Sequence, residues 1–348
     1  MHGLSKAVET LYKSEILKKD FEFIKVDITN NKKFLSNYKL IKKADADLFY
    51  LTISQSTGGN IRDLLIMHLL YKQGKKCLIH LHGGYYRKLY EKKMPEFQKR
   101  LNKMALSHVS GAIVLGNSLK YIFDGLVEKK KVYVIPNCVD DEFLISEEEL
   151  ESKISKTNDV YHVLYLSNLI RSKGYDIVLE MAKEYKNNPG TKKLHFDFAG
   201  KFYGAEEKQF FENYIEENGL QDAVTYHGIV SGDAKRKLLK QSTFFALPTK
   251  YPKEGQPISI LEAMGNGLII LTTNHAGIPD VVQDHINGCV GNLDQNIGKA
   301  YRDYIETVKD EDIANISKGN YLEVKKHYLE NTYISNMAKC FHLMTEGE

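Results

Sequence analysis

The sequence predicts an α/β protein of two Rossmann-like domains, each an open parallel sheet covered by helices, and three observations carry that expectation. The 348-residue chain exceeds the usual size of a single hydrophobic core. Short continuous apolar runs alternate with longer segments of helical period, the pattern of parallel strands buried on both faces. The runs fall into two sets, and between them Pro136-Asn137 stops a strand and an acidic, Ser-rich stretch follows across 135–159. We therefore expect one domain over 1–150 and a second over 151–327. Two such domains facing each other would line a cleft with the carboxyl ends of their strands, where open α/β sheets take ligands.

In the first set the expected strands are EFIKVDI (22–28), LFYLTI (48–53), KCLIHL (76–81), GAIVL (111–115) and VYVIP (132–136). In the second they are YHVLYL (161–166), LHFDFAG (194–200), VTYHG (224–228), TFFALP (243–248) and LIILTT (268–273). Expected helices include SKAVETLYKSEIL, NIRDLLIMHLLYKQG, DIVLEMAKEYK and AEEKQFFENYIEENG. In the first of these Leu4, Val8 and Leu11 share one face.

Composition narrows the function classes. The longest apolar stretches, such as LLIMHLL (64–70), fall far short of the about 20 residues a spanning helix needs. The opening MHGLSKAVETLYKSE lacks the apolar centre of a secretory signal. Cys77, Cys138, Cys289 and Cys340 stand apart, without the close pairs of a zinc site, and read as reduced thiols of a cytoplasmic protein. Net charge is only +3, and no nucleic-acid-binding motif is present. The charge is uneven: residues 1–150 hold 25 basic against 18 acidic side chains, the remainder 23 against 27. Residues 85–105 alone carry seven Lys and Arg against two Glu, interleaved with Tyr, Phe, Leu and Met and interrupted by Pro95. That mixture suits anionic headgroups on a membrane surface, and equally a solvated basic face.

YPKEGQPISILEAMGNG (251–267) is the most informative stretch. Pro257 suits a helix start and Gly265 its end, so Glu254 belongs to a loop after a strand and Glu262 to the helix. The helix start offers free N–H groups to an anion. Two carboxylates beside such a site would repel a phosphate, whereas as pure acceptors they suit sugar hydroxyls. Solvated loop and helix residues are the plain alternative.

EGQPISILEAMGNGLIILTTNHAGIPDVV resembles the Glu-x7-Glu signature of the family 4 retaining glycosyltransferases, which have the GT-B fold. LSNLIRSKGYDIVLEMA, LHFDFAGKF, YHGIVSGDAKRKLLKQSTFFALPT and VIPNCVD follow in the family's order, and KKHYLENTYISNMAKCFHLM resembles its closing helix, which would pack 328–348 back on the first domain. The resemblance implies that Glu254 contacts the donor sugar, that Glu262 holds the ribose hydroxyls, and that backbone groups of Gly255, Gln256, Pro257 and Ile258 lie along the sugar and diphosphate. It implies that Lys173 answers the diphosphate charge, with donor contacts also from Asn168 and Gly200. Where the family has Gly-Arg this chain has Ser167-Asn168, and Arg171 is the candidate substitute for the missing arginine, an ordinary loop role being the alternative. The family places a His-Gly in the IHLHGGYY stretch (79–86); His82 matches it better than His80, with Gly83, Gly84 and Gly3 on the acceptor side.

The implied activity is transfer of a hexose from a nucleotide-diphosphate sugar, uridine-linked by preference, to a hydroxyl acceptor with retention of configuration. A lipid-linked saccharide in surface polysaccharide assembly is the implied acceptor, and the inner face of the plasma membrane the implied location. A nucleotide-sugar epimerase and a non-catalytic nucleotide-binding module are the alternatives. No cofactor and no catalytic metal are expected, Asp45-Ala46-Asp47 reading as a solvated loop. TISQSTGGNIRDLL (52–65) reads as a plain turn before a helix, a part in framing the acceptor side being the alternative. The family also has a strand and Gly-rich loop before the first helix, which here begins two residues into the chain; we expect Met1 to lie downstream of the natural start, the alternative being a sheet that lacks a strand.

Overall fold

The computed structural model describes residues 3–156 and 159–346; side chains of residues 3–6 and of Asn31 also lie outside the described set, so Leu4 is not placed on a face. The chain divides into two compact units. One comprises residues 1–137, Lys253–Gln256 and 330–348, and the other Cys138–Pro252 and Pro257–Leu329.

In the first unit the elements run α1 (Gly3–Lys13), α2 (Phe34–Lys43), β1 (Leu48–Thr52), α3 (Thr57–Lys72), β2 (Lys76–His80), α4 (Tyr86–Lys92), α5 (Glu96–Ser107), β3 (Gly111–Val114) and β4 (Val132–Val134). The four strands form one parallel sheet in the order β1-β2-β3-β4. Leu78, Ile79, Ala112, Ile113 and Val114 are wholly buried at its centre, as continuous apolar strands covered on two sides should be. Helices α3 and α5 are joined by a buried amide cluster: Asn60 Nδ2 donates to Asn102 Oδ1 (2.9 Å), Asn102 Nδ2 to Asn60 Oδ1 (2.9 Å) and Gln98 Nε2 to Asn60 Oδ1 (2.8 Å). Tyr86 of α4 donates its hydroxyl to Asn102 Oδ1 at 2.5 Å.

The second unit contains α6 (Glu147–Ile154), β5 (Tyr161–Leu166), α7 (Tyr175–Asn187), β6 (Leu194–Ala199), α8 (Ala205–Glu217), β7 (Val224–Tyr226), α9 (Gly232–Gln241), β8 (Phe244–Leu247), α10 (Ile258–Met264), β9 (Ile269–Thr273), β10 (Gly288–Gly291), α11 (Ile297–Thr307) and α12 (Asp310–His327). Its six parallel strands take the order β10-β9-β8-β5-β6-β7. The order reverses between β5 and β8, and a crevice outside the carboxyl ends of strands at such a point is where open α/β sheets bind ligands. Phe196, Phe198, Phe244, Phe245, Ile269 and Ile270 fill the core. The last helix, α13 (Glu330–Glu346), counts with the first unit; its Phe341 ring packs edge-on against Tyr50 of β1, with centroids 5.8 Å apart.

Several expectations are corrected. Residues 22–28 form no strand and join no sheet. Side chains hold them instead: Arg62 Nη1 donates to the Ile28 carbonyl (2.8 Å) and Asn37 Nδ2 to that of Asp27 (2.6 Å), while Phe21 and Phe23 pack on Phe341. A short apolar run can be held by side-chain contacts alone; it does not supply a ladder partner. The acidic stretch at 135–159 holds the division at Asn137/Cys138 and also a helix that was not expected, α6 over residues 147–154. Ser146 and Glu149 make a reciprocal capping box, and Leu150 buries against Ile145 and Tyr321. Gly58-Gly59 form the first turn of α3 rather than a preceding turn, Ser56 Oγ accepting from the Gly59 N–H. Strand β10 escaped prediction because its run, GCVG, is short and Gly-flanked. Met1 and His2, on which the expectation about the chain start falls, lie outside the described residues.

The amide cluster gives a stability test. Truncating Asn102 to Ala strips Asn60, Tyr86 and Gln98 of buried partners, and we expect a loss of about 1–3 kcal/mol in urea unfolding. An unchanged midpoint would show that α3 and α5 are not locked by these amides.

Candidate functional site

Strand β2 delivers its histidines at its carboxyl end. His80 is buried, and its Nδ1 lies 2.7 Å from the Tyr50 hydroxyl in a hydrogen bond. Burial holds its pKa well below the usual range, with His82 adding to the effect. The His82 ring lies over it at 3.8 Å between centroids. Burial brings the His82 pKa down to about 4, the Asn137 amide pulling weakly the other way. His82 is therefore a neutral imidazole near pH 7, able to donate at one nitrogen and accept at the other.

The tetrapeptide Lys253–Gln256 is anchored in this same unit. The Gly84 N–H donates to the Glu254 carbonyl (2.6 Å). The Asn137 N–H donates to Gln256 Oε1 (2.8 Å), Asn137 Nδ2 to the Gln256 carbonyl (2.9 Å), and Gln256 Nε2 to the Leu115 carbonyl (3.2 Å). These partners follow β2, β4 and β3 in turn, so the segment lies along the carboxyl edge of the first sheet. Gly255 admits the approach: a Cβ there would sit 2.7 Å from the His82 carbonyl and 3.0 Å from Gly83 Cα. Gly83 is similarly confined by the Gln55 side chain, whose Oε1 accepts from the Tyr85 N–H (2.7 Å). Thus His82, Gly83, Gly84, Glu254, Gly255 and Gln256 come together, and Glu254 is 8% exposed. Gly3 is the first residue of α1.

In the second unit, Arg171, Ser172 and Lys173 form a single 3-10 turn before α7, ended by Gly174 at φ +83°. A Cβ on Gly174 would meet the Pro248 carbonyl at 2.4 Å, and the Lys250 N–H donates to the Ser172 carbonyl (2.8 Å). The turn is thereby pressed onto the loop after β8, at the point where strand order reverses. Lys173 Nζ stands 5.3 Å from the Tyr251 ring centroid. Gly200, at φ +148°, lets the loops after β5 and β6 meet, since a Cβ there would overlap the Ser167 carbonyl. Asn168 is exposed, and its carbonyl accepts from the Tyr165 hydroxyl (2.9 Å). Arg171 is turned onto α8, with Nε 3.3 Å from Glu207 Oε2 and its guanidinium 4.2 Å from the Phe210 ring centroid.

Pro257 is the N-cap of α10, Ile258 its first residue and Gly265 its C-cap. Glu262 is 6% exposed. Its Oε1 accepts from Lys235 Nζ of α9 at 2.6 Å, and that ammonium also lies 3.9 Å from the Phe143 ring centroid. Sequence reading missed Lys235, because the pairing joins two helices 27 residues apart and no local spacing signals it. Lys153 ties the far ends of the same two helices, donating to the Asn266 carbonyl (2.8 Å) and that of Leu239 (3.4 Å). Asp45 is fully exposed and pairs with Lys75 at 3.0 Å.

Two parallel sheets of this kind, with charged and Gly-rich loops at their carboxyl edges, define a GT-B glycosyltransferase architecture. Residues 146–318 match the family model described as glycosyl transferases group 1, and the chain belongs to that family. A UDP-Gal:alpha-D-GlcNAc-diphosphoundecaprenol alpha-1,3-galactosyltransferase of Escherichia coli is 27% identical over 84% of this chain and 74% of its own length. The amylovoran biosynthesis glycosyltransferase AmsK of Erwinia amylovora is 26% identical over 38% of this chain; that match spans only 33% of the relative. Among solved structures, a glycosyltransferase from Rickettsia africae superposes with TM-score 0.72 at 18% identity, covering 96% of this chain and 88% of the other. Anabaena HepE in complex with UDP gives 0.68 at 15% identity, covering 89% and 81%.

Lys153 makes the packing of α9 and α10 pH-dependent. Burial lowers its pKa to about 7, whereas an unfolded lysine keeps its proton to about pH 10.4. Between those values the unfolded chain binds a proton that the folded chain does not, so this group's contribution to stability rises with pH. Comparing wild type with Lys153→Met in urea from pH 7 to 10, we expect the difference in stability to grow in favour of wild type. A difference that stays flat would contradict the burial of that ammonium.

Proposed function

We propose that the chain transfers a hexosyl group from a UDP-linked sugar to a hydroxyl of a lipid-linked saccharide, with retention of configuration, in surface polysaccharide assembly. The observation that carries this reading is the placement of the Glu254–Glu262 pair. Glu254 is packed with the His82 loop at the carboxyl edge of the first sheet, and Glu262 is buried on α10 beside Lys235. Each carboxylate has its own surroundings, as befits hydrogen-bond acceptors for two different parts of a long ligand. The relatives support the chemistry: one solved neighbour binds UDP, and one curated relative is named for a UDP-sugar donor and a diphosphoundecaprenol acceptor.

In this mechanism Glu262 accepts hydrogen bonds from the ribose hydroxyls while Lys235 stays paired with its Oε1. Lys173 and the backbone N–H groups from Gly255 to Ile258, Pro257 excepted, stabilise the charge that develops on the diphosphate as the glycosidic bond breaks. Asn168 and Gly200 border the same loops. Arg171 would have to leave Glu207 and the Phe210 ring to reach a phosphate. Glu254 accepts from hydroxyls of the transferred sugar, and neutral His82 donates to another. The departing phosphate oxygen takes the proton of the acceptor hydroxyl, so neither glutamate transfers one, and the protein's contribution is orientation and electrostatics. Gly83, Gly84 and Gly3 fall on the acceptor side, and no metal takes part in any of these steps.

The test is Glu254→Ala with a panel of labelled nucleotide sugars. We expect sugar transfer, and slow donor hydrolysis without acceptor, to fall at least about a hundredfold, the scale of losing a transition-state hydrogen-bonding group, while UDP affinity by calorimetry stays within about threefold. Full activity in this variant would remove the assigned role, and loss of UDP binding would move Glu254 to the nucleotide.

A further inference from the structure

We propose that the outer face of α3 and α5 docks on a bilayer rich in anionic lipid. The two helices run side by side in the same direction. Gln98 Nε2 donates to the Thr57 carbonyl near their starts, Asn60 in the first turn of α3 bonds Asn102 at the middle of α5, and the Tyr71 and His108 rings stack at 3.8 Å and 15° at their ends. On α5, Phe97, Leu101 and Met104 recur at i, i+4 and i+7, and His108 continues the same row. Because His108 stacks on Tyr71, this row lies on the flank of α5 that faces α3. On α3, Ile61 and Leu65 form the outward row one residue round from Asn60 and Leu64. The valley between the helices is therefore floored by buried amides and walled by six apolar side chains, each 42–62% exposed.

A run of this kind on two packed helices differs from scattered surface leucines, which need no explanation. Its surroundings decide the occupant. The opposite flank of α5 carries Arg100 and Lys103, Lys92 and Lys93 precede its start, and Lys72 ends α3; Glu96 is held by Lys99 at 2.7 Å. Apolar rows edged by lysine and arginine fit an interface where side chains enter the acyl boundary and ammonium groups meet phosphate headgroups. Among the described residues no helix is long and apolar enough to cross a membrane, so contact would be peripheral. The inference rests in part on the lipid-linked acceptor of the proposed function, since such an acceptor stays in the bilayer and the chain must come to it.

The test is vesicle flotation of the full chain, with pure phosphatidylcholine vesicles and with vesicles that also contain phosphatidylglycerol. Wild type should float with the anionic vesicles, less so as salt is raised, and not with the neutral ones. Phe97→Ser/Leu101→Ser/Met104→Ser and, separately, Arg100→Glu/Lys103→Glu should each lower the bound fraction at least about tenfold, while circular dichroism and UDP affinity remain those of wild type. Ile229→Ser, at an exposed apolar position of the second unit, should float as wild type does. Equal binding to both vesicle types, equal binding by the triple variant, or a wild-type dimer that the triple variant abolishes would each overturn the proposal. Donor hydrolysis in solution separates the two readings: lost flotation with hydrolysis intact refutes this surface alone, and flotation without turnover of any donor refutes the transferase reading alone.

Discussion

The hydrogen bonds that Gln256 makes with Asn137 and Leu115 are the constraint on which the candidate site depends. A side-chain amide satisfies a backbone N–H with its oxygen and a backbone carbonyl with its nitrogen, and a second side-chain amide, that of Asn137, closes the set from the other direction. All these groups are buried, where an unmade bond costs more than a made one contributes. The tetrapeptide is therefore fixed at the carboxyl edge of the first sheet although Pro252 and Pro257, on either side of it, count with the second unit. Gly255 is the steric condition for that path, and Glu254 takes its position as a result.

The second unit solves a related problem by different means. Its strand order reverses between β5 and β8, and there Gly174 and Gly200 let three loops approach at backbone distance. Charge is then set on that frame: Lys173 beside Tyr251, and Lys235 against Glu262 and Phe143. A buried lysine–glutamate pair is not in itself a large source of stability, because both ions lose water. Its worth here is conformational, since it fixes the rotamer of the Glu262 carboxylate.

The sequence was most legible where physics is local or periodic. YHVLYL, LHFDFAG and LIILTT are long apolar runs, and they are β5, β6 and β9 within a residue or two. Pro257 and Gly265 marked the ends of α10 because each has few alternatives at its position. Residues 22–28 misled because an apolar run alone does not supply the neighbouring strand that a ladder needs. The helix inside the acidic stretch before residue 155 went unread behind its composition, although Ser146 and Glu149 held the capping signature. Membership of Glu254 in the first unit was not legible at all: the pairing of Gln256 with Asn137 spans 119 residues, and no pattern in either segment announces it. Lys235 was hidden for the same reason, and the engagement of Arg171 by Glu207 and Phe210 likewise joins segments that only the fold brings near.

The central claim is that Lys253–Gln256 is anchored to the first sheet by side-chain amides. Hydrogen exchange at the Gly84 amide, which donates to the Glu254 carbonyl, tests it most directly, read in wild type and in Gln256→Ala. The account predicts strong protection in wild type, a loss of that protection by at least about tenfold in the variant, the scale of one buried hydrogen bond, and unchanged protection in β8 and β9. A Gly84 amide that exchanges freely in wild type, or is equally protected in both proteins, would contradict it.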